Sequence, residues 1–128
     1  MGEKYDLFII NLKERIDRRK HSLIQFKDKT EFCITFVDAI KHDIGAIGLW
    51  LTMREIINLA DNRGLKCVII CEDDHKFTDF YTYEFLEKLL SDIDKLDGDL
   101  LLGGLSHFED AVQINRSSFW VNSFTGFQ

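Results

Sequence analysis

Three consecutive carboxylates, Glu72-Asp73-Asp74, follow directly on the apolar run Val68-Ile69-Ile70-Cys71. An apolar run rich in β-branched residues predicts a buried central strand of an α/β sheet. A buried unpaired carboxylate is too costly for a core, so the acids must follow the strand at its carboxyl end. Ligands bind at that edge of open α/β sheets, and Mg²⁺ and Mn²⁺ take oxygen ligands. The triplet predicts a cation site or, with equal weight on these residues alone, an acidic solvated corner.

The clearest local positive charge lies between Lys13 and Lys20, directly after a predicted first strand, Tyr5–Leu12. This segment holds five basic and two acidic residues, and Arg15 and Arg18 lie near its centre. Anions collect where a strand leads into a helix N-terminus, so a basic cluster there indicates an anion site. For any single arginine, solvated helix surface is the alternative.

Alternating strands and helices must position these charges. The order β-α-β-α-β-α-β predicts a mostly parallel central sheet with right-handed crossovers and helices on both faces. After the first strand, the predicted elements are a helix at Asp17–Lys27 capped by Asp17, a strand at Phe32–Ala39, a helix at Asp43–Arg63 capped by Asp43 and ended by Gly64, a strand at Lys66–Cys71, a helix starting at Thr78 or Thr82, a strand at Asp99–Gly104 and a final strand at Phe119–Gln128.

Two of these helices carry apolar residues at helical spacing, which predicts the face that each one buries. For the helix after the second strand, the predicted buried residues are Ile47, Trp50, Leu51, Ile57 and Ala60. For the helix after the triplet, they are Tyr83, Leu86, Leu89, Leu90, Ile93 and Leu96. The glycines Gly45 and Gly48 lower helix propensity, which indicates close packing on the sheet or a neighbouring ligand.

Asp38 ends the second predicted strand. Because the carboxyl ends of parallel strands share one edge, we expect it beside the basic turn and the triplet. An acid at this place can bind a ribose hydroxyl in dinucleotide folds, and a turn-forming aspartate is an equal alternative. Basic groups together with a metal-type acidic cluster suit a nucleoside diphosphate bridged by a cation.

Bulk composition sets the class of protein. A length of 128 residues fits one α/β domain, and 45% hydrophobic with 30% charged residues predicts a folded chain. The formal net charge of −6 argues against binding to nucleic acid or to an anionic membrane. No apolar run of about 18 residues occurs, and three cysteines without metal-ligand spacing fit reduced thiols. We therefore expect a cytoplasmic protein.

Four segments in this order and spacing resemble glycosyltransferase family 25, which includes lipooligosaccharide β-galactosyltransferases and procollagen galactosyltransferases. They are Ile10-Asn11-Leu12 followed by Asp17-Arg18-Arg19, then Gly45-Ala46-Ile47-Gly48, then Ile69-Ile70-Cys71-Glu72-Asp73-Asp74, and finally Asp99-Leu100-Leu101-Leu102-Gly103. The resemblance covers nearly the whole chain.

The resemblance implies a Rossmann-like three-layer sandwich of the GT-A type, a UDP-hexose donor such as UDP-galactose, and Mn²⁺ or Mg²⁺ as cofactor. It implies a saccharide or glycolipid acceptor in cell-surface glycan synthesis, in the cytoplasm or at the inner face of the membrane, with at most peripheral membrane association. Asp74 and Glu72 are the implied metal ligands. The implied donor-binding residues are Asn11, Arg15, Arg18, Asp38, Glu72 and Asp73.

Two departures from the family pattern limit what the resemblance implies. The family usually has a Ser-His pair after the second glycine, and this chain has Thr52-Met53. GT-A domains are also usually longer, so we expect the domain to be incomplete at its C-terminus. No general base is assigned, and Glu109 and Asp110 are unplaced acids for which a solvated loop is the main alternative. The alternative function is a truncated or non-catalytic module that binds a UDP-sugar or a protein partner without transfer.

Overall fold

Strand β1 (Tyr5–Asn11) is the centre of a three-stranded parallel sheet in the computed structural model, which describes residues 4–127. It pairs on one side with β2 (Phe32–Asp38) and on the other with β3 (Ile69–Glu72), so the strand order is β2-β1-β3. Phe8 and Ile9 in β1 are fully buried, as its apolar sequence requires. The mixed α/β class and the parallel pairing of the first three predicted strands are confirmed.

Helix α1 (Ile16–Phe26) connects β1 to β2, as predicted, but Asp17 does not cap it. Arg15 holds the N-cap position, and Asp17 lies inside the first turn. The Asp17 carboxylate accepts two hydrogen bonds from the Arg15 guanidinium.

Helix α2 (Gly45–Asn62) connects β2 to β3 and starts two residues after the predicted cap, Asp43. Its N-cap residue is Ile44, which offers no side-chain acceptor, so that prediction was wrong. The predicted end is confirmed, because Gly64 adopts a φ of +67°, where residues with a side chain are strained.

The core of the sheet lies beneath α2, where Phe8, Ile10 and Ile56 form a buried cluster. Of the residues of α2 predicted to be buried, Ala60 is buried and Leu51 is half-buried, whereas Ile47, Trp50 and Ile57 are exposed. Trp50 and Ile57 are 56% and 53% exposed, while the buried positions recur every fourth residue, at Gly48, Thr52, Ile56 and Ala60. Small residues at three of these four positions allow α2 to approach the sheet closely.

Two residues of α2 contact the segment that follows β2: Thr52 through a hydrogen bond and Gly48 through close packing. The buried Thr52 hydroxyl accepts a hydrogen bond from the Ile40 amide at 2.9 Å and donates one to the Gly48 carbonyl at 2.8 Å. A Cβ on Gly48 would collide with the Ile40 carbonyl oxygen, whereas a Cβ on Gly45 would meet nothing within 4 Å. Close packing therefore explains why position 48 of the chain is a glycine.

The described residues divide into two compact units at the boundary between Lys76 and Phe77. The second unit holds helix α3 (Tyr83–Lys95) and an antiparallel hairpin of β4 (Leu105–Gln113) and β5 (Phe119–Phe127). The start of α3 agrees with the prediction, because its N-cap Thr82 accepts a hydrogen bond from the Phe85 amide. No helix in the described range is long and apolar enough to cross a membrane.

Two predictions in this second unit were wrong. The segment Asp99–Gly104 is not a strand, and the chain becomes extended only at Leu105 and pairs antiparallel, because its partner β5 lies beyond a hairpin turn. The predicted core stripe of α3 lies on its less exposed face but does not reach a core: Tyr83, Leu86, Leu89, Leu90 and Ile93 are half-buried, and Leu96 is 50% exposed. The final predicted residue, Gln128, lies outside the described residues.

Candidate functional site

The carboxyl ends of the three parallel strands lie at one edge of the sheet. In the strand register Asn11 is opposite Asp38, and Ile10 is opposite Glu72. Parallel strands in this register present their last residues together, as the sequence predicts. The turn from β1 into α1 and the acidic triplet therefore adjoin the same edge. The triplet does not lie wholly after the strand as predicted, because Glu72 is the last residue of β3 and only Asp73 and Asp74 follow it.

Asp73 is the buried member of the triplet and connects three elements. Its Oδ2 accepts a hydrogen bond of 2.8 Å from Asn11 Nδ2, and its Oδ1 accepts one of 3.2 Å from Arg18 Nη1. Its backbone carbonyl accepts a third, of 3.2 Å, from the Ser22 hydroxyl. Both carboxylate oxygens are thus occupied by donors from β1 and α1, which compensates the burial of a charged group.

Asn11 also shapes the turn that holds Arg15. The Asn11 side chain is buried, and its Nδ2 donates a second hydrogen bond to the Arg15 carbonyl at 3.2 Å. The Arg15 guanidinium binds Asp17 through two hydrogen bonds of 2.7 and 2.9 Å, and this pairing lowers the pKa of Asp17 to about 2. Arg15 is therefore placed at the predicted edge with its guanidinium already paired to an exposed carboxylate.

Arg18 joins two members of the triplet. Its Nη1 lies 3.2 Å from Asp73 Oδ1 and 3.5 Å from Asp74 Oδ2. The Asp74 side chain is 52% exposed, and Glu72 is also exposed. Partial burial raises the pKa of Glu72, and the charges of Asp74 and Asp73 raise it further. Glu72 and Asp74 are thus neighbouring carboxylates that face solvent.

Asp38 and an ion pair between two loops also lie at this edge of the sheet. Asp38 is exposed at the end of β2. Three residues later, Lys41 forms an ion pair with Glu14, which joins the loop after β2 to the loop after β1. The sequence did not predict this ion pair or the contact of the Ser22 hydroxyl with Asp73. The only indication for Ser22 in the sequence is its position one helical turn after Arg18.

The chain leaving the triplet is held against α1. His21 Nε2 and the His75 carbonyl oxygen are 2.9 Å apart, within hydrogen-bond distance. The His75 ring stacks on Phe26 with the ring centroids 5.7 Å apart, and burial lowers the pKa of His75. The triplet is therefore fixed on both sides, through β3 before it and through α1 after it.

A divalent cation would find two carboxylates at this edge. Among residues 4–127, no group of three or more His, Cys, Asp or Glu side chains is arranged to hold a metal ion. Mg²⁺ is commonly held by one or two carboxylates together with substrate phosphates, and Glu72 and Asp74 fit that type of site. Asp73 fits it less well, because its side chain is only 11% exposed and each of its oxygens already accepts a hydrogen bond, from Asn11 and from Arg18.

The arrangement combines two exposed carboxylates with a guanidinium at one sheet edge, which suits a cation and an anion bound side by side. Comparison with protein-family models found no match, and comparison with curated proteins found none either.

Proposed function

We propose that the chain is a glycosyltransferase of the family 25 type that binds a UDP-hexose, UDP-galactose in the first instance, through Mn²⁺ or Mg²⁺. The acceptor in this proposal is a saccharide or glycolipid of cell-surface glycan synthesis. The three-stranded sheet would be part of a GT-A type three-layer sandwich. The proposed location is the cytoplasm, with at most peripheral association with the inner face of the membrane.

One observation carries the proposal. Asp73 binds Asn11 and Arg18 through its two carboxylate oxygens, and this draws the basic turn after β1 against the acidic triplet. Glu72 and Asp74 stay exposed beside that turn. A nucleoside diphosphate with a divalent cation needs this combination, because the cation requires carboxylates and the phosphates require cationic donors.

Each residue of the edge then has a role. Asp74 and Glu72 hold the cation, Arg18 contacts a phosphate, and Asp38 is available to a ribose hydroxyl. Asn11 acts indirectly, because its amide fixes Asp73 and the turn that carries Arg15. The bound cation supplies charge neutralisation of the departing diphosphate.

The charge balance at the edge favours a ligand that brings its own cation. Acidic side chains outnumber basic ones in the three segments that follow the strands, 12–15, 38–44 and 72–76: the acids are Glu14, Asp38, Asp43, Glu72, Asp73 and Asp74, and the bases are Lys13, Arg15, Lys41 and Lys76. A free diphosphate would be repelled by this excess. The same diphosphate with Mn²⁺ carries less negative charge and meets two carboxylates ready for the metal.

Thermal unfolding with UDP and Mn²⁺ tests the proposal. A ligand at 100 times its dissociation constant stabilises the folded state by about 2.7 kcal/mol, so a clear rise in Tm is expected. Asp74→Asn should abolish this rise. Asp28→Asn is the matched control, because it removes the same charge from an exposed residue at the other end of α1. The absence of any rise in the wild-type chain would refute nucleotide binding.

A second candidate is a module that binds the nucleotide sugar without transferring it. The observation in its favour is that Thr52 and Met53 occupy the two positions where the resembled family has a Ser-His pair. Thr52 is buried and hydrogen-bonded within α2, and Met53 packs against the core cluster. Incubation with UDP-galactose, Mn²⁺ and saccharide acceptors separates the two candidates: binding without hydrolysis or transfer supports the module.

A further inference from the structure

Arg18 touches two carboxylates that differ sharply in environment. Its Nη1 is 3.2 Å from Asp73 Oδ1 and 3.5 Å from Asp74 Oδ2. The Asp73 side chain is 11% exposed and the Asp74 side chain 52%. One guanidinium therefore holds a buried partner and a solvent-facing partner at the same time.

The contact with Asp73 is the permanent one. Asp73 is fixed from its other side by Asn11 at 2.8 Å and by the Ser22 hydroxyl on its backbone carbonyl. Breaking the Arg18 contact would leave a buried carboxylate with one donor fewer, which is costly. The longer contact with Asp74 is exposed. Exposed ion pairs contribute little to the stability of the fold, and their partners exchange readily with solvent or ions.

We propose that Arg18 and the divalent cation compete for Asp74. Without a cation, the guanidinium neutralises Asp74. When a cation binds Asp74, that side of the guanidinium loses its partner and becomes available to an anion, while Asp73 keeps the side chain in place. Arg18 thus couples cation binding to phosphate binding, a role that rests on the proposed function and adds a conformational exchange to it.

The competition predicts opposite effects of one substitution on two ligands. Arg18→Gln removes the competitor, so Mn²⁺ alone should bind about fivefold more tightly, the magnitude expected for loss of one exposed ion pair. The same variant should bind UDP in the presence of Mn²⁺ at least about tenfold more weakly, because a charge-assisted hydrogen bond is lost. A residue with only a structural role would weaken both.

Arg19→Gln is the matched control. Arg19 is the next residue of α1 and carries the same charge, but its guanidinium lies over the Phe36 ring, 4.1 Å from the ring centroid. Free Mn²⁺ is measured by electron paramagnetic resonance during titration of wild type, Arg18→Gln and Arg19→Gln, and circular dichroism verifies that each is folded. Tighter Mn²⁺ binding in Arg18→Gln but not in Arg19→Gln supports the competition.

A measurement on the wild-type chain avoids any effect of substitution on folding. In the ¹⁵N-labelled protein, titration with Mg²⁺ should shift the Nε–Hε resonance of Arg18 and leave that of Arg19 unchanged. A chain that binds Mg²⁺ or Mn²⁺ with no response at Arg18, and with equal affinities in the two variants, overturns the competition but leaves the proposed function standing. If neither cation binds any variant in the absence of UDP, the competition is overturned, and the proposed function is decided separately by the thermal shift with UDP and Mn²⁺ together.

Discussion

The side-chain amide of Asn11 and the carboxylate of Asp73, 62 positions apart in the chain, share a buried hydrogen bond of 2.8 Å. This bond joins the end of β1 to the acidic triplet, so it has both a structural role and a role in the proposed site. Asn11 contributes a donor where the fold buries the Asp73 carboxylate against the central strand. The stability of the fold and the position of Glu72 and Asp74 are therefore linked.

Asn11→Ala should destabilise the first unit. The substitution leaves the buried Asp73 carboxylate with one donor fewer, and hydrogen bonds to charged groups contribute about 1.5–3 kcal/mol. Urea unfolding followed by circular dichroism measures the loss. In a double-mutant cycle with Asp73→Asn, the second substitution should cost less in the Asn11→Ala background. Strict additivity of the two losses would mean that the hydrogen bond contributes nothing to stability.

Gly48→Ala and Gly45→Ala should have opposite outcomes, although both lie in the first turn of α2. A Cβ on Gly48 meets the Ile40 carbonyl oxygen, so backbone must move, at a cost of about 1–3 kcal/mol. A Cβ on Gly45 meets nothing within 4 Å, so the gain in helix propensity should stabilise by up to about 0.5 kcal/mol. Thermal unfolding of both variants measures the difference, and equal effects would contradict close packing at Gly48.

The elements of the first unit could be predicted from its sequence because each one is locally encoded. The short apolar runs of β1 and β3, rich in β-branched residues, favour buried strands, and Gly64 ends α2 through its backbone freedom. The meeting of Asn11, Asp38 and Glu72 at one edge then follows from parallel pairing.

The buried face of α2 and the ion pairs of the loops could not be predicted from the sequence. Helix α2 carries large apolar side chains on two faces: Trp50 and Ile57 are exposed, whereas Ile56 is buried and Leu49, Met53 and Leu59 pack against the core. The core face also carries Gly48, Thr52 and Ala60, whose small side chains allow close approach to the sheet, and the spacing of the large apolar residues alone does not identify that face. The ion pairs of Arg15 with Asp17 and of Lys41 with Glu14 depend on side-chain geometry in loops, which residue spacing does not specify.

The three cysteines should differ in reactivity. Burial raises the pKa of Cys71 to about 12, and the adjacent carboxylates add to the effect, whereas Cys33 is exposed. The thiolate is the reactive form, so Cys71 should react with iodoacetamide at pH 8 at least about a hundredfold more slowly than Cys33. Mass spectrometry of timed digests measures both rates, and unfolding in urea should make them similar. Rapid labelling of folded Cys71 would contradict its burial at the end of β3.

Loss of the Arg15–Asp17 pair at low pH gives a further prediction. Pairing with Arg15 lowers the pKa of Asp17 from 3.8 to about 2. A carboxyl group whose pKa is lower in the folded than in the unfolded state stabilises the fold at pH values above its unfolded pKa. That stabilisation is lost as the pH falls through its folded pKa. The Tm difference between wild type and Asp17→Asn should therefore be constant above about pH 5 and vanish toward pH 2. A difference that grows on acidification would contradict the pairing.

Removal of divalent cations should prevent UDP from binding rather than merely weaken it. The sheet edge carries more acidic than basic side chains, and the Arg15 guanidinium is already paired, so little positive charge is free to attract a diphosphate. Calorimetric titration of UDP should show binding with Mn²⁺ and none with excess EDTA. Uridine, which lacks the phosphates, should show no dependence on Mn²⁺. Binding of UDP with equal affinity in EDTA would mean that Arg18 and its neighbours hold the phosphates without a metal, and Glu72 and Asp74 would lose their proposed role.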